Sequence, residues 1–229
     1  RLARLESVLP LASRAPIPLQ TRFLLRLGDL SHDAHRIEEG RSLLKQGIAL
    51  ARRSDQTEIL GNGLLILAVL EENASNFEAA SALVREALTL SISEPALLSK
   101  LYRRIGCIAA RTEEYSDALA HLKSALQLAR QAGNLYLQVR TQDNLALLHL
   151  VQGRLNDAEH ILSQALTLSR ELGDPAEIVL IQCTRAILLL AKDQPGDARD
   201  ALSESIDVYR ETGAINDEVF CRLDRILVS

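Results

Sequence analysis

The 229-residue chain has no Met and no Trp, and four Tyr and three Phe make its aromatic content only 3%. So sparse and scattered a set excludes a stacking platform for single-stranded nucleic acid. A basic excess is also missing, since 26 Lys and Arg face 30 Asp and Glu for a net charge of −4. The chain as a whole therefore exerts no pull on nucleic acid or on an anionic lipid surface. No apolar run approaches the roughly eighteen residues of a membrane span, the longest being Leu64 to Leu70. No signal-peptide pattern opens the chain. Cys107, Cys183 and Cys221 are odd in number, far apart and without Cys-x-x-Cys spacing. That usage fits a reducing, cytoplasmic setting in which each thiol fills a small core or groove position. With no Met and Arg1 at the start, the expectation is a piece excised from a longer protein.

What the chain does have is Leu, Ala and Ile in helical register. Hydrophobic residues make up 47% of it, enough to build a continuous core. Leu98 to Asn134 shows the pattern most clearly. Leu101, Tyr102, Ile105, Ala109 and Ala110 recur at three- and four-residue steps, the spacing of one helical face. Thr112 to Glu114 interrupts that face. Ala118, Leu119, Leu122, Ala125, Leu126 and Leu128 then form a second one, closed at Gly133, which suits a left-handed helix cap. Two such helices cannot bury their apolar stripes alone and must stack on neighbours.

The neighbours are copies. A small residue on the second helix falls at Gly40, Ala80, Ala118, Ala158 and Ala198, and another follows at Gly47, Ala87, Ala125, Ala165 and Ser205. First helices carry Gly28, Ala68, Gly106, Ala146 and Ala186 at the matching place. Recurrence at about forty residues marks stacked helical repeats. Small side chains let helices approach closely. Large ones fill the space between: Leu27, Leu67, Ile105 and Leu145 on first helices, and Leu44, Val84, Leu122, Leu162 and Leu202 on second helices. Arg185 breaks the first series, and its stem is expected to lie along a groove. The repeats span 18–53, 55–92, 94–132, 134–172 and 174–212 in one array. An orphan second helix is expected at 1–15 and an orphan first helix at 214–229, both with apolar faces.

The pattern Tyr102, Ile105, Gly106, Ala109, Tyr115, Ala118, Leu122 and Ala125, repeated in Leu27, Gly28, Ile37, Gly40, Leu44 and Gly47, resembles the tetratricopeptide repeat family in a long-period form. The resemblance implies an all-α fold, a right-handed solenoid of stacked antiparallel helix hairpins with about twelve helices. It also implies a concave surface lined by first helices, where family members commonly bind peptides. Turns such as Leu168 to Asp174 resemble those of arrays in multidomain bacterial transcription regulators.

Two groups of residues on that implied surface are candidate partner-binding sites. Lys100, Arg103, Arg104, Arg111 and Arg140, with Asn144 beside them, form a basic patch able to hold a carboxylate-bearing segment. The alternative for these cations is a solvated face paired with Glu113 and Glu114. Leu147, Leu150, Leu180, Cys183, Ile187 and Leu190 form an apolar strip that could receive a helix, an adjacent domain or a second copy, or else belong to a deeper core. The family's two-carboxylate chaperone clamp is matched by Lys100 and Arg104 but not by Leu25, Asp29 and Ile66. Asn144 matches its middle place in the next register, where Leu180 and Thr184 fail.

Catalysis finds no support in the pattern. His32 and His35, near Asp29 and Asp33, lack a third His or Cys ligand, so no metal site is assigned. His149 falls on a packed face, where a buried, hydrogen-bonded imidazole is expected, while His121 and His160 face solvent. Neither a nucleophile motif nor a phosphate loop occurs. The carboxylate pairs Glu38-Glu39, Glu71-Glu72 and Glu113-Glu114 are read as acids at helix ends, stabilised at a helix start by the dipole. The expected protein is thus a non-catalytic interaction scaffold or sensor without a cofactor, binding a peptide or partner domain (domains of its own full-length chain included). The alternatives are a homo-oligomerisation element or a small-molecule effector domain.

Overall fold

The computed structural model describes residues 15–33 and 36–212, and every regular element among them is an α-helix. In chain order they are α1 (Ile17–Asp33), α2 (Ile37–Arg53), α3 (Thr57–Asn73), α4 (Phe77–Thr89) and α5 (Pro95–Arg111), then α6 (Tyr115–Gln131), α7 (Leu135–Val151), α8 (Leu155–Leu172), α9 (Pro175–Ala191) and α10 (Pro195–Thr212). Ten helices are thus described where the resemblance implies about twelve. The two expected half-repeats fall outside the described residues, Ala15 apart, as do His35, Cys221 and the side chains of His32 and Asp33.

The chain divides into two compact units, residues 1–114 and 115–229. In the first, α1 packs on α2 and α3 on α4 as antiparallel hairpins, α2 lies against α3, and α4 against α5. The first helices α1, α3 and α5 touch in sequence. In the second, α7 pairs with α8 and α9 with α10, α6 lies against α7, α8 against α9, and α7 against α9. Each unit is a stack of helix hairpins, the all-α repeat architecture that the forty-residue period predicts.

Small residues set how closely the helices approach. Ala68, Ala80, Ala118, Ala146, Ala158 and Ala186 are completely buried. In the first hairpin the approach is tighter still. A Cβ on Gly28 would stand 2.8 Å from Leu44 Cγ and 2.9 Å from the Gly40 carbonyl oxygen. Leu44, Val84, Leu122 and Leu162 fill the spaces between these contacts at 2% exposure or less. Arg185, at the place where other repeats bury Leu or Ile, is exposed.

The turns share one device. Asp55, Ser75, Glu113, Gly133, Gly153, Gly173 and Asp193 all adopt positive φ. After six of them the following residue donates its N–H to the carbonyl five positions back. Asn76 reaches Glu71 at 2.8 Å, Glu114 reaches Ala109 at 2.8 Å and Arg154 reaches His149 at 2.9 Å in this way. This is the Schellman closure, which satisfies carbonyls left open at a helix C-terminus. The α4–α5 turn differs: Leu90 is extended, and Ser93 donates from both its N–H and its hydroxyl to the Glu58 carboxylate. Asn134 and Asp174 cap α7 and α9 by accepting the N–H of Leu137 and Ala176, and Pro175 occupies the first turn of α9.

Two substitutions test this construction. Gly28→Ala is expected to lower stability by about 1–3 kcal/mol, because backbone stands in the way of the added methyl. Glu113→Gly is expected to raise it by about 1 kcal/mol, because a side chain is strained at φ 65°. Both are read from denaturant unfolding midpoints.

Candidate partner-binding faces

In the first unit, α5 buries Leu97, Leu101, Ile105, Ile108 and Ala109 along one stripe. Lys100, Arg103, Arg104 and Cys107 are half-buried outside it, and Arg111 is exposed. The helix carries four cations and no carboxylate. An acid that meets them comes from α3. Arg104 Nη1 donates to Glu72 Oε2 at 2.7 Å, and Arg111 Nη1 to Glu72 Oε1 at 3.4 Å. The Arg111 guanidinium also lies 4.8 Å above the Phe77 ring, a cation–π contact.

Glu72, only 5% exposed, is therefore the partner of these two arginines, a role that the alternative, solvated-face reading gave to Glu113 and Glu114. Glu71 and Glu72 stand at the C-terminal end of α3, where the helix dipole opposes a negative charge. Arginines compensate instead. Arg41 Nε of α2 donates to Glu71 Oε1 at 2.8 Å, and Asn76 Nδ2 donates to Oε2 at 2.9 Å. Burial pushes the Glu71 pKa up, but the hydrogen bonds from Asn76 and Arg41 outweigh it and hold the carboxyl below its ordinary value. Sequence reading could not find the arginine pairs, since 30 to 39 residues separate each arginine from its carboxylate. Beside them a groove of about 430 Å³ between α4 and α5 is lined by Phe77, Ala82, Arg85, Ile105, Ile108 and Glu114.

In the second unit, Arg140 and Asn144 are half-buried on α7. Arg140 Nη1 lies 3.7 Å from Glu177 Oε1 of α9, and its guanidinium is 5.9 Å from the Tyr136 ring centre. Glu177 is 3% exposed. The Thr184 hydroxyl donates to Asp143 Oδ1 at 2.6 Å, with both residues buried. Polar side chains thus tie α7 to α9. Of the apolar strip, Leu180 and Cys183 are core rather than surface, packed with Val179, Ala186, Leu189 and Leu202. Leu147, Leu150 and Ile187 are half-buried, and Leu190 is 41% exposed. Val151, 67% exposed, extends this patch. Its position four residues after Leu147 was the available signal. The basic residues fall into two groups, Lys100 to Arg111 in the first unit and Arg140 with Asn144 in the second.

Among the described residues no three His, Cys, Asp or Glu side chains gather where a metal ion could be held, and no helix is long and apolar enough to cross a membrane. His160 is exposed beside Gln164, and His121 is half-buried. His149 is buried, but its Nδ1 has no hydrogen-bond partner and stands 3.9 Å from Asp157 Oδ2. Burial first, then Arg154 and Lys123, push its pKa below the ordinary 6.5, against the pull of Asp157. On acidification the unfolded chain therefore takes up this proton before the folded one does. The contribution is complete above pH 6.5 and is lost as the pH falls below it. Urea unfolding between pH 8 and pH 5 is expected to show that loss, and His149→Gln to flatten it.

The Tetratricopeptide repeat family profile matches residues 137–211, which cover α7 to α10 almost completely. No curated protein matches the chain by sequence. Among solved structures it is similar to BtubC (BKLC) from P. vanneervenii, with a TM-score of 0.78, 15% identity and coverage of 94% of this chain and 92% of that one. A Podosopora anserina putative kinesin light chain with nearly identical TPR-like repeats gives 0.68 at 14% identity, over 87% of this chain and 99% of that one. A Rap protein complexed with Competence and Sporulation Factor gives 0.75 at 16% identity, and there the match spans 90% of this chain and 58% of the other. At these identities the likeness is one of fold. Residues 137–211 thus carry tetratricopeptide repeats, and the hairpin build and forty-residue period of the remaining described helices agree with that family.

Proposed function

We propose that this chain is a non-catalytic protein-interaction scaffold or sensor segment that binds a peptide or partner domain on its first-helix faces, within a larger cytoplasmic signalling or transcription regulator of bacterial type. One observation carries this reading. Positions that pack hairpins together hold the same few small and aliphatic residues in repeat after repeat, while the remaining first-helix positions carry unlike chemistries. They are basic on α5, mixed polar on α7 and apolar at the C-terminal ends of α7 and α9. Repeats that fix the scaffold and vary the displayed side chains suit recognition of a partner. The likeness to a Rap protein solved with a bound factor supports the same reading.

A second reading, self-association, is favoured by the exposure of Val151 and Leu190. Light scattering over a concentration series separates the two. A monomer at the highest concentration speaks against self-association. For the leading reading, an arrayed library of defined peptides is probed with the whole chain and with Arg103→Glu/Arg140→Glu. At least some peptides are expected to bind, those that use the basic residues losing about tenfold or more in affinity in the variant. Absence of any binder would refute the scaffold reading, and unchanged binding by the variant would remove those two arginines from it.

A further inference from the structure

We propose that Glu72 holds, in the free protein, the place of a carboxylate that an acidic segment of a partner protein brings to α5, so that binding exchanges one acid for another on Arg104 and Arg111. The proposal rests on the reading of α5 as a partner-facing helix. The charge of α5 favours an acidic occupant. Four cations stand on α5, and the carboxylate that Arg104 and Arg111 share is Glu72 of α3. That one acid is divided, with an oxygen at 2.7 Å from Arg104 and the other only at 3.4 Å from Arg111. A guanidinium offers five N–H donors, and neither arginine spends more than a fraction of them on Glu72. Arg111 is more than half exposed, and the Phe77 ring beneath it holds its guanidinium in place. Little ordering is then needed for it to accept a new partner. Lys100 stands one turn before Arg104 on the same helix.

Length decides what kind of acid fits. Lys100 and Arg111 are separated by eleven helical residues, or about 16 Å along the axis. No small dicarboxylate reaches across that span, whereas an extended peptide covers it in about five residues. The occupant is therefore a segment with acidic side chains at both ends of such a stretch. The exchange moves Glu72 off its arginines and places an external carboxylate on each, with no covalent step.

The test measures anisotropy of fluorescein-labelled hexaglutamate with the whole chain, with hexalysine and succinate as controls. Wild type is expected to bind hexaglutamate alone, with an affinity that falls as salt rises. Glu72→Gln removes the internal competitor and is expected to tighten binding roughly three- to tenfold. Lys100→Glu/Arg111→Glu is expected to abolish it. A folded Glu72→Gln chain that binds no tighter overturns the proposal, as does hexaglutamate binding that persists in the double variant. If Glu72→Gln does not fold, Glu72→Asp keeps the charge but draws it back from Arg111, and tightening of a smaller degree is the expected result, its absence the overturning one. A chain that binds library peptides but not hexaglutamate loses this inference and keeps the scaffold reading. A chain that binds no peptide loses both.

Discussion

The constraint on which the structure depends is the distance between neighbouring helices. Each hairpin has an apolar flank that it cannot cover itself, and the next hairpin covers it only if the backbones come close. At Gly28 the neighbouring backbone itself, the Gly40 carbonyl, stands with Leu44 in the way of a methyl group. Fully buried alanines do the same in later repeats. Because burial of each stripe depends on its neighbour, the positions that serve packing are fixed in kind. Only the remaining first-helix positions are left to vary, and recognition has to use those.

The same constraint explains the buried acids. Successive first helices meet along faces that are polar as well as apolar, and each unit crosses the meeting with paired side chains. Glu72 of α3 holds Arg104 and Arg111 of α5 in the first unit. Arg140 and Asp143 of α7 face Glu177 and Thr184 of α9 in the second. Burying a carboxylate costs several kcal/mol before its partner is counted, so a pair of this kind adds little net stability. It does penalise any slip between helices, which would leave a buried charge unmatched. The pairs set register, and the aliphatic stripes supply cohesion.

How much of this was legible in the sequence follows from the range of each interaction. The hairpins, their period, the small contact residues and the caps at Asn134 and Asp174 all depend on neighbours within one helix or one turn, and a periodic pattern records such neighbours. The partners of Glu71 and Glu72 do not leave that record. Arg41 and Arg104 stand about thirty residues away on other helices, and the local reading placed these acids under a dipole rule that applies to the opposite end of a helix. Leu180 and Cys183 failed for a related reason. Leu180 shares the register of the half-buried Arg140, and Cys183 that of Asp143, which is itself buried, because register fixes direction around a helix and not depth. Val151 was missed because a residue at the end of a helix, just before a turn, contributes little to a periodic signal.

The link between register and recognition gives the scaffold a means of responding. The acidic excess of the chain lies wholly in residues 115–229, so nothing in the net charge of the first unit opposes the approach of an acid to α5. The contact that such an acid would disturb is the one joining α3 to α5. A ligand that merely covered an outer face would leave the stacking as it was. One that competes for Arg104 and Arg111 weakens the tie between successive first helices while the apolar stripe beneath them stays buried, so the helices can shift without separating. Differential affinity for two such arrangements is what a regulatory response needs, and under the proposed exchange the shared arginine pair is where it would arise.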